Sequence, residues 1–154
     1  MRTLILGIGN TILGDDALGA HVSRELSSRI VDEDIDVRDV SFDGLNLLEL
    51  FVGYDKLVVI DAIMTENGEV GTIYRLKPEK VCDPSRSAIS PHHFNLATTI
   101  EIAKRLFPDE MPEEVTLYAV GIREVTQVTE EMTDKVEQAI PEVVKLVLEE
   151  VGAA

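Results

Sequence analysis

Residues 57–61 read Leu-Val-Val-Ile-Asp, and this stretch decides the fold. Four apolar residues in succession are typical of a strand that is buried on both faces, as in a parallel sheet covered by helices. The acid that follows predicts that the strand ends at Asp61. The stretch therefore indicates a central strand that brings a carboxylate to one edge of a sheet.

The chain before this strand alternates between extended and helical patterns. Residues 4–6 are an apolar run stopped by glycines in 7–10, which predicts a buried strand and a tight turn. Apolar residues recur every fourth position over 18–30, the spacing of one helix face. A second strand is predicted over 35–40, and a short helix capped by its first residue, Asp43, over 43–51.

The chain after the central strand continues the same alternation. The predicted elements are an antiparallel or edge strand over 72–76, a Pro-rich and Ser-rich loop over 77–91, a helix over 96–107, a strand over 115–120 that ends at Gly121, and a last helix that carries apolar residues to Val147. That helix is predicted to start at Thr133, with Thr129 as an alternative. Pro141 lies inside it and predicts a kink or a split into two helices.

Strands that alternate with helices predict an α/β fold. We expect a single three-layer domain over residues 1–154, with a twisted, mostly parallel five-stranded sheet, one antiparallel strand and helices on both faces. The sequence shows no internal repeat, linker or low-complexity segment.

The charge balance restricts the partners. Acids outnumber bases 29 to 14 and the net charge is -15. Nucleic-acid binding needs clustered Lys and Arg, so neither a nucleic acid nor an anionic membrane surface is expected as a partner. A cationic or metal-carrying partner fits better.

The protein is expected to be soluble and cytoplasmic. Cys82 is the single cysteine, so no disulfide can form within the chain, and it is interpreted as an inert loop thiol. No segment approaches the roughly 20 apolar residues of a membrane span. The oligomeric state stays open, with a monomer favoured.

Ligands of open α/β sheets bind outside the carboxyl ends of the strands, and several polar residues are predicted to converge there. Asp61 ends the central strand, although it could also only start a turn. Asp15 and Asp16 stand at the start of the first helix; one could cap it while the other faces the cleft. His92 and His93 follow the long loop, and adjacent residues point in different directions, so at most one is expected in the cleft. The third histidine, at position 21, is interpreted as a packing or surface residue of the first helix.

The motifs exclude several chemistries. A dinucleotide fingerprint needs a third glycine at position 12, where this chain has Ile, and Asp15 and Asp16 would repel a phosphate. No His-Glu-x-x-His helix and no Gly-x-Ser-x-Gly elbow is present. Two carboxylates and one imidazole at adjacent strand ends suit Ni(II) or Zn(II) and leave coordination positions for water or a substrate group.

Four groups of sequence motifs occur in order along the chain. They are Gly7-Ile8-Gly9-Asn10 with Gly14-Asp15-Asp16-Ala17-Leu18-Gly19, Val59-Ile60-Asp61-Ala62 with Gly71-Thr72-Ile73, Ser90-Pro91-His92 with Leu96, and Gly121-Ile122 with Met132-Thr133. Each group alone is modest, but the ordered set spans nearly the whole chain and is specific. It resembles the [NiFe]-hydrogenase maturation endopeptidases.

The resemblance implies that Asp16, Asp61 and His92 bind nickel and carry the catalysis. His92 is preferred to His93 because the preceding Ser-Pro and the spacing to Leu96 fit it better. Asp16 is shorter than the glutamate of some family members. Another departure is an alanine at position 17, where many relatives have glycine, which would affect helix packing.

The resemblance further implies the substrate. Family members remove a C-terminal extension from the precursor of the hydrogenase large subunit after nickel insertion, so the nickel belongs to the substrate and the protease recognises it. The metal could polarise a carbonyl or a water, or a carboxylate could act as the general base. Two alternatives remain at this point, a nucleotide-binding domain and a non-catalytic nickel carrier.

Overall fold

The structure is a computed structural model that describes residues 1–9, 14–41, 48–64, 68–77, 91–123, 128–129 and 131–154. For 48 and 91–98 it describes the backbone. In chain order the elements are β1 (Thr3–Ile8), a 3-10 turn (Gly14–Ala17), α1 (Leu18–Arg29), β2 (Ile35–Val40), α2 (Leu48–Phe51), β3 (Lys56–Met64), β4 (Ile73–Leu76), α3 (Pro91–Leu106), β5 (Glu114–Ile122) and α4 (Asp134–Glu150).

The five strands form one sheet in the order β2-β1-β3-β5-β4. The pairs β1/β2, β1/β3 and β3/β5 are parallel, and β4 pairs antiparallel with β5 at the edge. The prediction of an α/β fold with a mostly parallel sheet and one antiparallel strand is confirmed. The strand predicted over 72–76 is both antiparallel and at an edge.

Alternate residues of the central strands face two separate apolar cores, because successive side chains of a strand point to opposite faces. One core joins Leu4, Leu6, Leu57, Val59 and Ile63 to Phe51 of α2 and to Ile100 and Ala103 of α3. The other joins Ile5, Val58 and Ile60 to Leu18, Val22 and Leu26 of α1 and to Val136, Val143 and Val147 of α4. Helices therefore cover both faces, and the three-layer arrangement is as expected.

Two predicted strand ends are wrong. β3 does not end at Asp61 but continues to Met64, and β5 continues past Gly121 to Ile122. The two extensions pair with each other, from Asp61 opposite Ala119 to Met64 opposite Ile122. This pairing joins distant parts of the chain, so the local apolar pattern could not reveal it.

The helix α4 is continuous from Asp134 to Glu150, so the split predicted at Pro141 does not occur. A proline in a helix interior costs about 3 kcal/mol. Here Pro141 is exposed, while buried residues before and after it, Val136 and Val143, both pack into the same core. Burying the apolar face of both halves offsets the missing backbone bond.

Some expectations lie outside the described residues: the turn at Asn10, the cap at Asp43, Cys82 and most of the loop over 77–91. The last helix follows Thr133 as its N-cap, which favours the start predicted at that residue over Thr129. Within the described parts of the chain, no helix is long and apolar enough to cross a membrane.

Candidate active site

The strand order creates a crevice between β1 and β3. The chain leaves β1 to form β2 on one side, and β3 is then added on the other side of β1. At such a switch point the connections on the two sides run to opposite faces and leave space at the carboxyl ends of the strands, where α/β proteins bind ligands. The predicted acids should therefore be sought at the carboxyl ends of β1 and β3.

Asp61 lies at this crevice. The pairing of β1 with β3 ends at Gly7 opposite Ile60, whereas β3 continues for four residues beside β5 alone. Asp61 is the first residue beyond that end, and its side chain is fully buried, with 0% exposure. Its Oδ1 accepts a hydrogen bond of 2.8 Å from the backbone N–H of Ala62.

The bond from Ala62 gives this buried carboxyl group one polar partner within the strand. Burying a charge without polar partners is very costly, and a backbone N–H donor is one of the strong ways to stabilise it. By strand alternation Asp61 shares its face with Val59 and Ile63, which belong to the core beneath α2 and α3. The carboxylate is therefore directed to the side of the sheet that α3 covers.

Asp16 lies in the 3-10 turn that follows β1, and this turn is close to β3. Its position depends on two glycines. A Cβ at Gly9 would lie 2.2 Å from the carbonyl oxygen of Asp16, and a Cβ at Gly19 would lie 2.3 Å from that of Ile8 and 2.6 Å from that of Ile60. The turn and the first residues of α1 thus pack directly on the backbones of β1 and β3, which brings Asp16 and Asp61 to the same edge.

The same packing opposes nucleotide binding. In a dinucleotide site the glycines let a phosphate approach the backbone. Here the space above Gly9 is taken by a carbonyl oxygen, that of Asp16. A phosphate at this position would meet an acceptor oxygen and two neighbouring carboxylates, so the glycines serve the packing of the turn.

Asp15 connects the 3-10 turn to the start of α4. Its Oδ1 accepts a bond of 2.7 Å from the N–H of Thr133, and its Oδ2 accepts one of 2.6 Å from the hydroxyl of Thr133. The prediction that one of these acids caps the first helix is wrong, because α1 has Ala17 at its N-cap and no side-chain cap bond. The 3-10 turn carries both acids away from α1, and Asp15 instead binds the N-cap residue of α4.

His92 is the second residue of α3. The segment after α3 is hydrogen-bonded to the residues just before β3. The N–H of Gly53 donates to the carbonyl oxygen of Glu110 at 3.0 Å, and the N–H of Glu113 donates to the carbonyl oxygen of Asp55 at 3.1 Å. The end of α3 therefore lies at the amino edge of the sheet, and its 16 residues extend about 24 Å towards the carboxyl edge. The backbone of His92 lies at the opposite end of α3 from these contacts, while its side chain, like that of His93, lies outside the described residues.

Of the three predicted site residues, the structure places Asp61 where β3 continues beyond β1 and Asp16 in a turn packed on β1 and β3, and it describes His92 by its backbone only. Among the side chains that the structure describes, no three His, Cys, Asp or Glu residues form a group able to hold a metal ion. Because His92 is not among those side chains, its part in the site stays a prediction. The third histidine, His21, lies half-buried on α1, as expected of a packing or surface residue.

Sequence reasoning missed Thr133 as a functional candidate. Its bonds to Asp15 join residues that are 118 positions apart, and no periodicity or motif length connects them. The one available signal was the position of Thr133 at the start of a predicted helix, where threonine is a common cap.

Comparison with known proteins identifies the family of this chain. The sequence profile of the hydrogenase maturation protease family matches residues 20–150. The hydrogenase 2 maturation protease of Escherichia coli strain K12 is 33% identical over 121 residues, which cover 78% of this chain and 73% of that protein.

Solved structures give the same result. The hydrogenase maturating endopeptidase HybD from E. coli superposes with a TM-score of 0.82 at 31% identity, covering 99% of this chain and 94% of the other. The [NiFe] hydrogenase maturation protease HybD from Thermococcus kodakarensis has a TM-score of 0.79 at 21% identity, with coverage of 97% and 98%, which supports the fold. The family profile and the close relatives together show that this chain belongs to the hydrogenase maturation protease family.

Proposed function

We propose that this protein is an endopeptidase that removes the C-terminal extension of the [NiFe]-hydrogenase large-subunit precursor after nickel insertion. The observation that carries the proposal is the placement of Asp61 in a chain of this family. A fully buried carboxylate stands where β3 continues beyond β1, at the crevice in which α/β proteins bind ligands. A large apolar side chain would be the expected occupant of such a position if packing alone selected it.

The proposed site recognises nickel that the substrate already holds. Asp16, Asp61 and His92 are assigned as its ligands. Two carboxylates and one imidazole suit Ni(II) by donor type, and three ligands leave coordination positions for groups of the substrate. The turn that carries Asp16 is packed on β1 and β3, which supports the proposal that Asp16 offers an oxygen donor at the edge of the sheet where Asp61 lies.

The chemistry at the scissile bond has two possible agents. The substrate-borne metal can act as a Lewis acid that polarises a carbonyl or a water. Alternatively, the carboxylate of Asp16 or Asp61 acts as the general base that takes a proton from the attacking water. Asp61 suits an orienting role because one of its oxygens is fixed by the Ala62 N–H at 2.8 Å.

The compartment and partner follow from the same proposal. The precursor is the partner. Because the chain has 29 acids and 14 bases, its negative charge favours a cationic or metal-carrying surface on the precursor. A cytoplasmic location is proposed because Cys82 has no second cysteine with which to form a disulfide within the chain.

The test is cleavage of nickel-loaded and nickel-free precursor by the parental protein, followed by gel shift and mass spectrometry. Shortening of the nickel-loaded precursor alone supports the proposal. Shortening of both would remove the role of nickel but keep the protease. If neither is shortened and the protein still binds the loaded precursor, it is a non-catalytic nickel carrier.

The role of Asp61 is tested by Asp61→Asn, which keeps the size of the side chain and removes its charge. We expect the rate on nickel-loaded precursor to fall by about 10²-fold or more, the usual loss for a ligand or general base. Asp109→Asn, at an exposed position after α3, is the matched control and should cleave at the parental rate. Parental activity in Asp61→Asn would show that Asp61 is not required.

A further inference from the structure

Asp15 and Asp16 are adjacent in the 3-10 turn, and Asp15 binds Thr133. This residue is the N-cap of α4, and its own carbonyl accepts from the N–H groups of Val136 and Glu137 at 3.0 and 2.9 Å. A threonine at this position normally turns its hydroxyl to a backbone N–H of its own helix. In α4 it makes no such bond and instead donates to Asp15 at 2.6 Å.

The link between the turn and α4 contains a second element. The N–H of Gly14 donates to the carbonyl oxygen of Thr129 at 2.7 Å. Gly14 has a φ of +53°, which strongly favours glycine, and a Cβ there would lie 2.9 Å from the carbonyl oxygen of Glu131. Two successive residues, Gly14 and Asp15, are thus attached to the segment that leads into α4.

On its other side the turn is fixed by β1. The Asp16 carbonyl oxygen fills the space that the missing Cβ of Gly9 leaves. The next residues, Ala17 and Leu18, are fully buried. Asp16 is therefore held between a packed strand and a hydrogen-bonded helix start, and the Asp15–Thr133 pair is the side-chain part of that second support.

We propose that Asp15 is a positioning residue, which binds the backbone and hydroxyl of Thr133 and thereby fixes the turn that presents Asp16 to the substrate. The proposal rests on the proposed endopeptidase function. Asp15 itself does not touch the reacting atoms. Its carboxylate also lies at the N-terminus of α4, where a negative charge interacts favourably with the helix dipole, so α4 and the turn stabilise each other.

The test compares Thr133→Val, which removes the hydroxyl at nearly constant shape, with Thr133→Ser, which retains it. We expect Thr133→Val to lower kcat on nickel-loaded precursor between about ten- and a hundredfold, because displacement of a reacting group by about 1 Å can cost that much. KM should change little, since both oxygens of the Asp15 carboxylate are already engaged by Thr133. Thr133→Ser should restore most of the rate.

A matched control separates positioning from general loss of stability. Thr116→Val also removes a threonine hydroxyl. Thr116 lies near the start of β5, and its hydroxyl accepts a hydrogen bond of 3.2 Å from Lys77 Nζ. It should lower the melting temperature and leave kcat unchanged. If Thr116→Val and Thr133→Val are equally destabilised and lose the same rate, the loss in Thr133→Val comes from destabilisation, and the proposal is overturned.

A double-mutant cycle tests whether the two residues act as one unit. Asp15→Asn and Thr133→Val should each lower kcat, and the double variant should lose no more than the worse single one. Multiplied losses would show independent roles and contradict the proposal. If the parental protein cleaves and both single variants keep its rate, the positioning role of Asp15 is contradicted and the endopeptidase function stands. If the parental protein does not cleave the precursor, the proposed function is contradicted, and the positioning role with it.

Discussion

Replacing Gly9 by alanine is predicted to displace the candidate site through one methyl group. The new Cβ would lie 2.2 Å from the carbonyl oxygen of Asp16 and 3.3 Å from its carbonyl carbon. Ordinary contacts begin at 3.4 Å, so the turn must move away from β1 by about 1 Å. The obstacle is backbone rather than the end of a flexible side chain, so no rotamer change can relieve it.

Two magnitudes follow from this displacement. Overpacking of a tight contact typically costs about 1–3 kcal/mol of unfolding free energy. A shift of about 1 Å in a reacting group lowers the rate by about 10²-fold. Gly9 has no positive φ, so alanine brings no backbone strain of its own, and the whole effect is steric.

The assay is the initial rate of cleavage of nickel-loaded precursor, measured beside the melting temperature. Gly53→Ala is the control, because its Cβ meets nothing within 4 Å but its φ of +87° strains an alanine by about 1–2 kcal/mol. We expect both variants to melt earlier and only Gly9→Ala to lose activity. A Gly9→Ala enzyme that cleaves at the parental rate would refute the argument that the fixed turn presents Asp16.

Two further predictions concern the stability of the fold away from the site. Burial alone would raise the pKa of Glu150, but hydrogen bonding to Arg75 at 2.9 Å and the charge of Lys56 lower it below its usual value. These contacts of Glu150 therefore stabilise the protein above about pH 4.5, and their contribution is lost as the pH falls through the lowered folded-state pKa. Glu150→Gln should cost about 1–2 kcal/mol in urea unfolding at pH 7, and this cost should shrink steadily as the pH is lowered; a cost independent of pH would contradict this. Tyr54→Phe removes the hydroxyl that donates to Asp36 at 2.5 Å but keeps the ring, and should lower the unfolding free energy by about 1 kcal/mol at pH 7, whereas an unchanged urea midpoint would show that the bond contributes nothing.

The sheet was predictable because its central strands are local signals. The run at 57–60 and the four-residue spacing over 18–30 appear in the structure as β3 and α1, since a strand or helix face must be apolar wherever it is buried. Strand ends were less predictable. Asp61 interrupts the apolar pattern, yet β3 continues because residues beyond it pair with β5 and because Ala62 donates to the carboxylate.

The shared edge of Asp16 and Asp61 was predictable because it depends on the direction of parallel strands. Asp16 and Asp61 follow or interrupt parallel strands, and the carboxyl ends of such strands meet at one edge. The roles within the acidic pair were not predictable, because the choice between Asp15 and Asp16 depends on Thr133. Thr133 is 118 positions from Asp15 in the sequence, and only the folded chain shows that it binds Asp15.

The geometry of the 3-10 turn directs the side chains of Asp15 and Asp16 differently. With three residues per turn, neighbouring side chains diverge by about 120°, so a turn that directs Asp15 towards α4 must direct Asp16 elsewhere. Two carboxylates so close in sequence repel each other, and this cost is offset where one of them accepts two hydrogen bonds at a helix N-terminus. With the first acid bound to Thr133, the second is directed elsewhere, as the proposed ligand role of Asp16 requires.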